Sequence, residues 1–268
     1  MFVVINAAGI AHTTTVVGCG TAEVVSIGIV IGMTPTLDIR RADDRFKTKI
    51  GWLDSKHSFS FGSHRDPNNT GHGLLLVNND DIVAAGAGFD THPHQDMEIV
   101  TWVLDGELEH KDSEGNRGML YPGLAQRMSA GTGIWHSEIN PQGDNDVHFV
   151  QMWVHPDTER IDPGYEQLDI NGELAKGGLV PIASGRGHDA AISIRQEGAV
   201  LWGGRLTPGE QVRIPDDHYV HLFVAKGAAS LEGAGELWSG DSVRLTGAGI
   251  PMLTAADAGA EVLIWAMR

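Results

Sequence analysis

Residues 88–106 read GFDTHPHQDMEIVTWVLDG, and this stretch decides the fold. His92 and His94 are two residues apart, the spacing that puts two side chains on one face of a β-strand. Pro93 keeps His92 out of the helical region and favours the extended form. Ile99–Leu104 (IVTWVL) is a short apolar run stopped by the turn pair Asp105-Gly106. Glu98 has the same parity as the two histidines and shares their face if the strand runs on without a bulge.

A second stretch, GTGIWHSEIN at 131–140, repeats the pattern with His136 and Glu138 at i and i+2. Gly131 and Gly133 permit a tight turn or close backbone approach before it. Two such pairs on adjacent strands bring three imidazoles and one carboxylate together. That donor set suits Fe(II), Zn, Ni, Mn or Cu(II), and geometry chooses among them. On an octahedral metal, four protein ligands leave two positions open; on tetrahedral zinc they close the site.

The rest of the chain reads as short strands between glycine turns, a pattern of antiparallel barrels or jelly rolls. Glu107–Lys111 alternates. Val147–Val154 (VHFVQMWV) reads as a buried strand, and Tyr219–Ala225, Ser242–Leu245 and Glu261–Ala266 continue the style. Helical signals are confined to Ala42–Phe46 and Gly164–Ile170. Asp157–Tyr165, polar and containing Pro-Gly, is the linker candidate. In 268 residues, two barrels of about 100–130 residues each are expected. Leu104–Glu109 and Val224–Ala229 form a faint internal echo.

Charge narrows the function. There are 19 Lys and Arg against 35 Asp and Glu, a net of −16. Residues 33–165 carry 11 bases and 21 acids, and residues 166–268 carry 8 and 13, so neither half is basic. Direct nucleic-acid binding through a general basic field is disfavoured. The single cysteine, Cys19, excludes an internal disulfide framework or a Cys-rich zinc module. Of the 13 histidines, nine fall in 33–165 and three after it.

Residues 1–32 contain no Lys or Arg and one acid, Glu23. They have neither the charged start of a secretory signal nor an apolar run long enough for a membrane helix. From Met33 the texture becomes charged and normally patterned. Met33 is therefore the expected true start, with 1–32 an extension outside the fold, 33–160 the first barrel and 161–268 the second. A cytoplasmic location is expected.

The motifs G-x-x-x-H-x-H-x-x-x-E with a following Gly (Gly88, His92, His94, Glu98, Gly106) and G-x-x-H-x-x-x-N (Gly133, His136, Asn140) resemble the two motifs of the cupin superfamily. THPHQDMEIVTWVLDGELEHKDSEGN, MSAGTGIWHSEINP, GWLDSKHSFSFG (Gly51–Gly62) and PGYEQ (Pro163–Gln167) are similar, more narrowly, to the pirin family and its bacterial quercetin 2,3-dioxygenase group. The resemblance runs from about residue 34 to the C-terminus and is concentrated in 50–167. It implies an all-β bicupin, two antiparallel β-barrels with one metal in the first.

Carried over residue by residue, the resemblance makes His92, His94, His136 and Glu138 the metal ligands. Glu98, the ligand in general cupins, becomes a neighbour or structural partner. In the second barrel, Pro215, Asp217 and His221 fall near the ligand places, and a second metal is not expected there. His57 and His64 read as loop or barrel-mouth residues; His72, His110, His148 and His155 as surface or packing groups. Trp102, Trp135, Trp153 and Phe149 read as core, with Trp135 and Met97 also candidates to wall an aromatic pocket.

The implied activity is cleavage of a flavonol such as quercetin by dioxygen, on a divalent metal expected to be Fe(II), with Glu138 taking the substrate's enol proton. The alternative implied by eukaryotic relatives is a metal-binding, redox-responsive regulator acting through a protein partner. The acidic body places the enzyme ahead.

Overall fold

A computed structural model describes residues 3–5, 11–13 and 35–268. Val3–Ile5 and Ala11–Thr13 pair as a short antiparallel ladder. Cys19 and the expected start at Met33 lie outside the described residues.

The regular elements of residues 36–268 are almost all strands. One sheet has seven strands, in the order Gly164–Asp169, Leu124–Ser129, Glu98–Asp105, Val147–Val154, Leu75–Val83, Leu53–His57, Phe46–Ile50. A four-stranded sheet, Arg117–Leu120, Leu108–Asp112, Ile134–Ile139 and Gly88–His94, packs over it. Leu108 and Leu120 of the smaller sheet meet Leu53, Val83, Val103, Leu124 and Phe149 of the larger in one apolar core. Ile134 meets Ile99 and Met128 in another.

The remaining strands form a nine-stranded sheet that encloses its own core of Val220, Leu222, Val224, Val243, Leu245, Val262 and Ile264. A fourth core lies between the two barrels. Val100, Trp102, Leu104, Val150 and Met152 there face Phe223, Leu263 and Trp265. This explains why Ile99–Leu104 and Val147–Val154 lack polar alternation: each is apolar on both faces because each face is covered. Trp102 Nε1 crosses the seam to Glu261 Oε1 at 2.8 Å.

The two barrels exchange edge strands. Thr36–Arg40 pairs with Ser242–Thr246 of the second barrel, although the strands that follow it belong to the first. Gly164–Asp169 pairs with Leu124–Ser129 of the first barrel, beyond the 160/161 division that the linker composition suggests. A short edge strand can add to any sheet with a free edge, so composition along the chain does not reveal which sheet receives it. For the same reason Gly164–Ile170, expected to be helical, is a strand, and the helical turn comes afterwards at Asn171–Leu174. Among the described residues no helix is long and apolar enough to cross a membrane.

Candidate metal centre

Gly88–His94 and Ile134–Ile139 lie side by side with His92 opposite His136 and His94 opposite Ile134. One ligand atom from each of His92, His94 and His136 lies within 4.8 Å of those of the other two. The ring centroids stand 4.4–4.9 Å apart. His92 Nδ1 donates to the Asp90 carbonyl at 2.7 Å, which leaves its Nε2 with a lone pair. His94 Nε2 and His136 Nε2 are buried and have no hydrogen-bond partner.

Burial lowers the pKa of His94 to about 4, with the neighbouring His136 and His92 adding to the effect. Burial likewise lowers that of His136 to about 3, with His92 and His110 adding. Both rings are therefore neutral near pH 7, the form in which imidazole binds a metal. Buried nitrogens without partners are costly unless something meets them. Three facing imidazole nitrogens fit a divalent metal.

Glu138 follows His136 on the same strand face, although a bulge between them shifts its partner to Phe89. It is buried, and both its carboxylate oxygens accept from Gln151 Nε2, at 2.9 and 2.8 Å. Gln151 Oε1 in turn accepts from Trp153 Nε1 at 3.0 Å.

His92 and His94 of the triad, with Glu138, line a cavity of 330 Å³. Phe61, Phe89 and Trp153 supply aromatic walls, and Ser55, His57, Asn79 and Asp81 supply polar groups. His57 lies on the strand Leu53–His57 and is buried. Its Nδ1 pairs with Asn79 Oδ1 at 2.9 Å and its Nε2 with Thr48 Oγ1 at 2.9 Å. Thr48 Oγ1 also meets His64 Nε2 at 3.1 Å. Burial pushes the Asp81 carboxyl up to about 7; its hydrogen bond from Ser55 opposes this, and the charges of Asp80 and Glu138 reinforce it. Neither Asp81 nor Gln151 stood out in the sequence: Asp81 ends a polar run, Asn78–Asp81, with no motif spacing, and Gln151 is a lone polar residue between apolar neighbours.

Several sequence expectations are corrected. Glu98 is not beside the triad. Asp96 takes a left-handed φ of 47°, the chain turns, and Glu98 begins a strand of the other sheet. There Glu98 Oε2 accepts from Ser129 Oγ at 2.9 Å and from the Arg195 backbone at 3.1 Å, so its role is to tie the two barrels. Trp135 points outward and is 54% exposed, and Met97 packs against Ile99, Met128 and Ile134; neither walls the cavity. Trp153 does.

His110, read from the sequence as a surface or packing group, is buried behind His136, with the two Nδ1 atoms 3.4 Å apart. Its signal was present: Leu108, His110 and Asp112 alternate and share the inward face. In the second barrel the Asp217 carboxylate is paired with Arg186, and His221 is fully buried at the seam beside Phe59.

The family model of the pirins matches residues 39–154, and that of the quercetinase C-terminal cupin domain matches residues 181–267. A Mycobacterium tuberculosis protein provisionally named quercetin 2,3-dioxygenase is 58% identical over 237 residues, covering 88% of this chain and 97% of its own. Quercetin 2,3-dioxygenase of Escherichia coli K12 is 40% identical over 196 residues, covering 73% and 84%. The crystal structure of the bacterial pirin YhhW from Escherichia coli in complex with nickel(II) superposes with a TM-score of 0.79 at 36% identity, covering 87% of this chain and 99% of that one. With two β-barrels, a histidine triad in the first and relatives that match over nearly their whole length, this chain belongs to the pirin family of bicupins.

Proposed function

We propose that this protein is a metal-dependent dioxygenase of the quercetin 2,3-dioxygenase type, acting on a flavonol and dioxygen. One observation carries the reading: the ligand nitrogens of three imidazoles converge within 4.8 Å of one another, and two of those rings, His92 and His94, line a cavity with aromatic walls. Relatives that bear the quercetin 2,3-dioxygenase name support it.

In this reading His92, His94 and His136 hold a divalent metal, with Glu138 as the fourth ligand. Iron(II) is our assignment; Zn, Mn, Cu(II) and Ni suit the same donors, and nickel(II) occupies the Escherichia coli relative. The bound metal would supply Lewis acidity, which lowers the pKa of a substrate hydroxyl. The protein's side chains do the rest. Phe61, Phe89 and Trp153 offer flat apolar surfaces that fix the plane of an aromatic ligand. Gln151 holds the Glu138 carboxylate in one orientation, from which Glu138 takes the enol proton. His57, Asn79 and Ser55 present hydrogen-bonding groups to the ligand's other hydroxyls.

The test is to incubate iron-loaded protein with quercetin in air. Loss of flavonol absorbance with release of carbon monoxide is the expected result. Intact flavonol over metal-loaded, folded protein would reject the assignment.

A further inference from the structure

The side of His136 that faces away from the triad leads into a buried chain of three residues. His136 Nδ1 lies 3.4 Å from His110 Nδ1, and His110 Nε2 lies 3.1 Å from Asp112 Oδ2. The side chains of His110 and Asp112 are 1% and 0% exposed, so water does not compete for these bonds. Strand pairing sets the chain: Asp112 lies opposite His136, and His110 opposite Glu138. Tyr165 covers the His110 ring at 4.9 Å, and Tyr165 comes from the strand Gly164–Asp169 that crosses over from beyond the linker.

The order of donors and acceptors follows from Asp112. Its Oδ1 accepts from the backbone N–H groups of Glu114 at 3.0 Å and Asn116 at 2.9 Å. The Asn116 side-chain amide reaches Oδ1 at 3.1 Å and Oδ2 at 2.9 Å. Every group around the carboxylate is an N–H donor, so Asp112 acts only as an acceptor. With a single proton on its ring, His110 carries it on Nε2, which leaves Nδ1 with a lone pair. That lone pair can be met only by a proton on His136 Nδ1. A neutral His136 protonated on Nδ1 has its own lone pair on Nε2, the atom that faces the triad without a partner.

We propose that His110 and Asp112 are positioning residues that fix the tautomer of His136, so that its Nε2 is always presented as a ligand. This rests on the triad as a metal site and not on the identity of the substrate. A hydrogen-bond partner behind a metal-binding imidazole also raises its basicity, and losing such a partner weakens metal binding about 10- to 100-fold.

Asp112→Asn tests the relay, because an amide can donate to His110 Nε2 and reverse the order. His110 would then donate from Nδ1, and His136 would be driven to carry its proton on Nε2. Nitrogen-15 NMR of the histidine rings in chelated, metal-free protein reads the tautomer directly. The expected result is an Nδ1-protonated His136 in the wild type and an Nε2-protonated one in Asp112→Asn. Titration calorimetry with nickel(II) should show affinity falling about 10- to 100-fold in the variant. His110→Phe keeps a ring beneath Tyr165 and removes the acceptor; it should lose nickel(II) affinity to a similar extent, and it decides the matter if Asp112→Asn does not fold. An unchanged His136 tautomer in Asp112→Asn, or unchanged nickel(II) affinity in folded His110→Phe, overturns the proposal. A wild type that bound no metal would instead reject the metal reading, while the ring protons of the metal-free protein still judged the relay.

Discussion

Gln151 Nε2 stands 2.9 and 2.8 Å from the two carboxylate oxygens of Glu138, a single amide group bridging both. The amide cannot flip, because Trp153 Nε1 donates to Gln151 Oε1 from the other side. Trp153 thereby orients the amide that orients the carboxylate, and all three residues line the cavity.

Replacing Gln151 with Leu leaves a buried carboxylate without that donor, which costs about 1–3 kcal/mol. Urea unfolding should show this loss, and flavonol turnover should fall with it. Trp153→Phe keeps the amide and removes only its orienting donor, so it should cost less stability. Equal losses in the two variants would mean that Gln151 acts through packing alone.

Metal removal should lower stability. A ligand that binds only the folded state at 100 times its Kd adds about 2.7 kcal/mol. Thermal melts with and without a chelator should therefore differ by several degrees in the wild type. In His92→Ala or His136→Ala the chelator should change nothing, because the triad no longer holds metal.

Acid should destabilise the metal-free protein. His94 and His136 are held neutral in the folded state, at about 4 and about 3, against 6.5 for a free imidazole. Between those values the unfolded chain binds protons that the folded one refuses, so stability falls as pH drops below 6.5 and the loss is complete near 3. Each ring contributes a slope of at most about 1.4 kcal/mol per pH unit. Urea midpoints of chelated protein from pH 7 to pH 4 should decline, and a double His94→Ala, His136→Ala variant should decline less.

Asp81 works in the opposite direction. Its folded pKa is raised from 3.8 to about 7, chiefly by burial, so the folded state holds a proton that the unfolded chain has lost. That group's contribution declines as pH rises from 3.8 towards 7. Asp81→Asn should therefore raise the melting temperature of chelated protein at pH 8 and change it little at pH 4. An equal effect at both pH values would show that Asp81 does not titrate in this range.

Gly88 sets the spacing of the two triad strands. A Cβ built there would lie 2.2 Å from the Glu138 carbonyl oxygen and 2.6 Å from Ile139 Cα. Those atoms are backbone and cannot move without separating the strands. Gly88→Ala should cost about 1–3 kcal/mol and weaken metal binding, although it lies four residues from the nearest ligand. Gly172→Ala, a control glycine in the helical turn Asn171–Leu174 with nothing near its Cβ, should leave metal binding intact.

Much of the fold was legible because strand period and turn residues are local. Val147–Val154 has the same bounds in sequence and structure, and Ile99–Leu104 extends by one residue at each end. The triad was legible for the same reason, since His-x-His needs only the period of a strand. Glu98 was misplaced by that logic, because parity survives only while the strand does, and the turn at Asp96 ends it. His110 lay beyond it: alternation shows that Leu108, His110 and Asp112 share a face, but not what that face meets.

By itself, then, the sequence determined an all-β chain with two barrels and a set of inward-facing histidines, through turn chemistry, hydrophobic pattern and a period of two. Only the tertiary structure decided which sheets receive Thr36–Arg40 and Gly164–Asp169, that His110 and Asp112 stand behind His136, and that Gln151 grips Glu138. Those are contacts between strands far apart along the chain. They depend on register and on which edge remains free to pair, quantities that no local spacing contains.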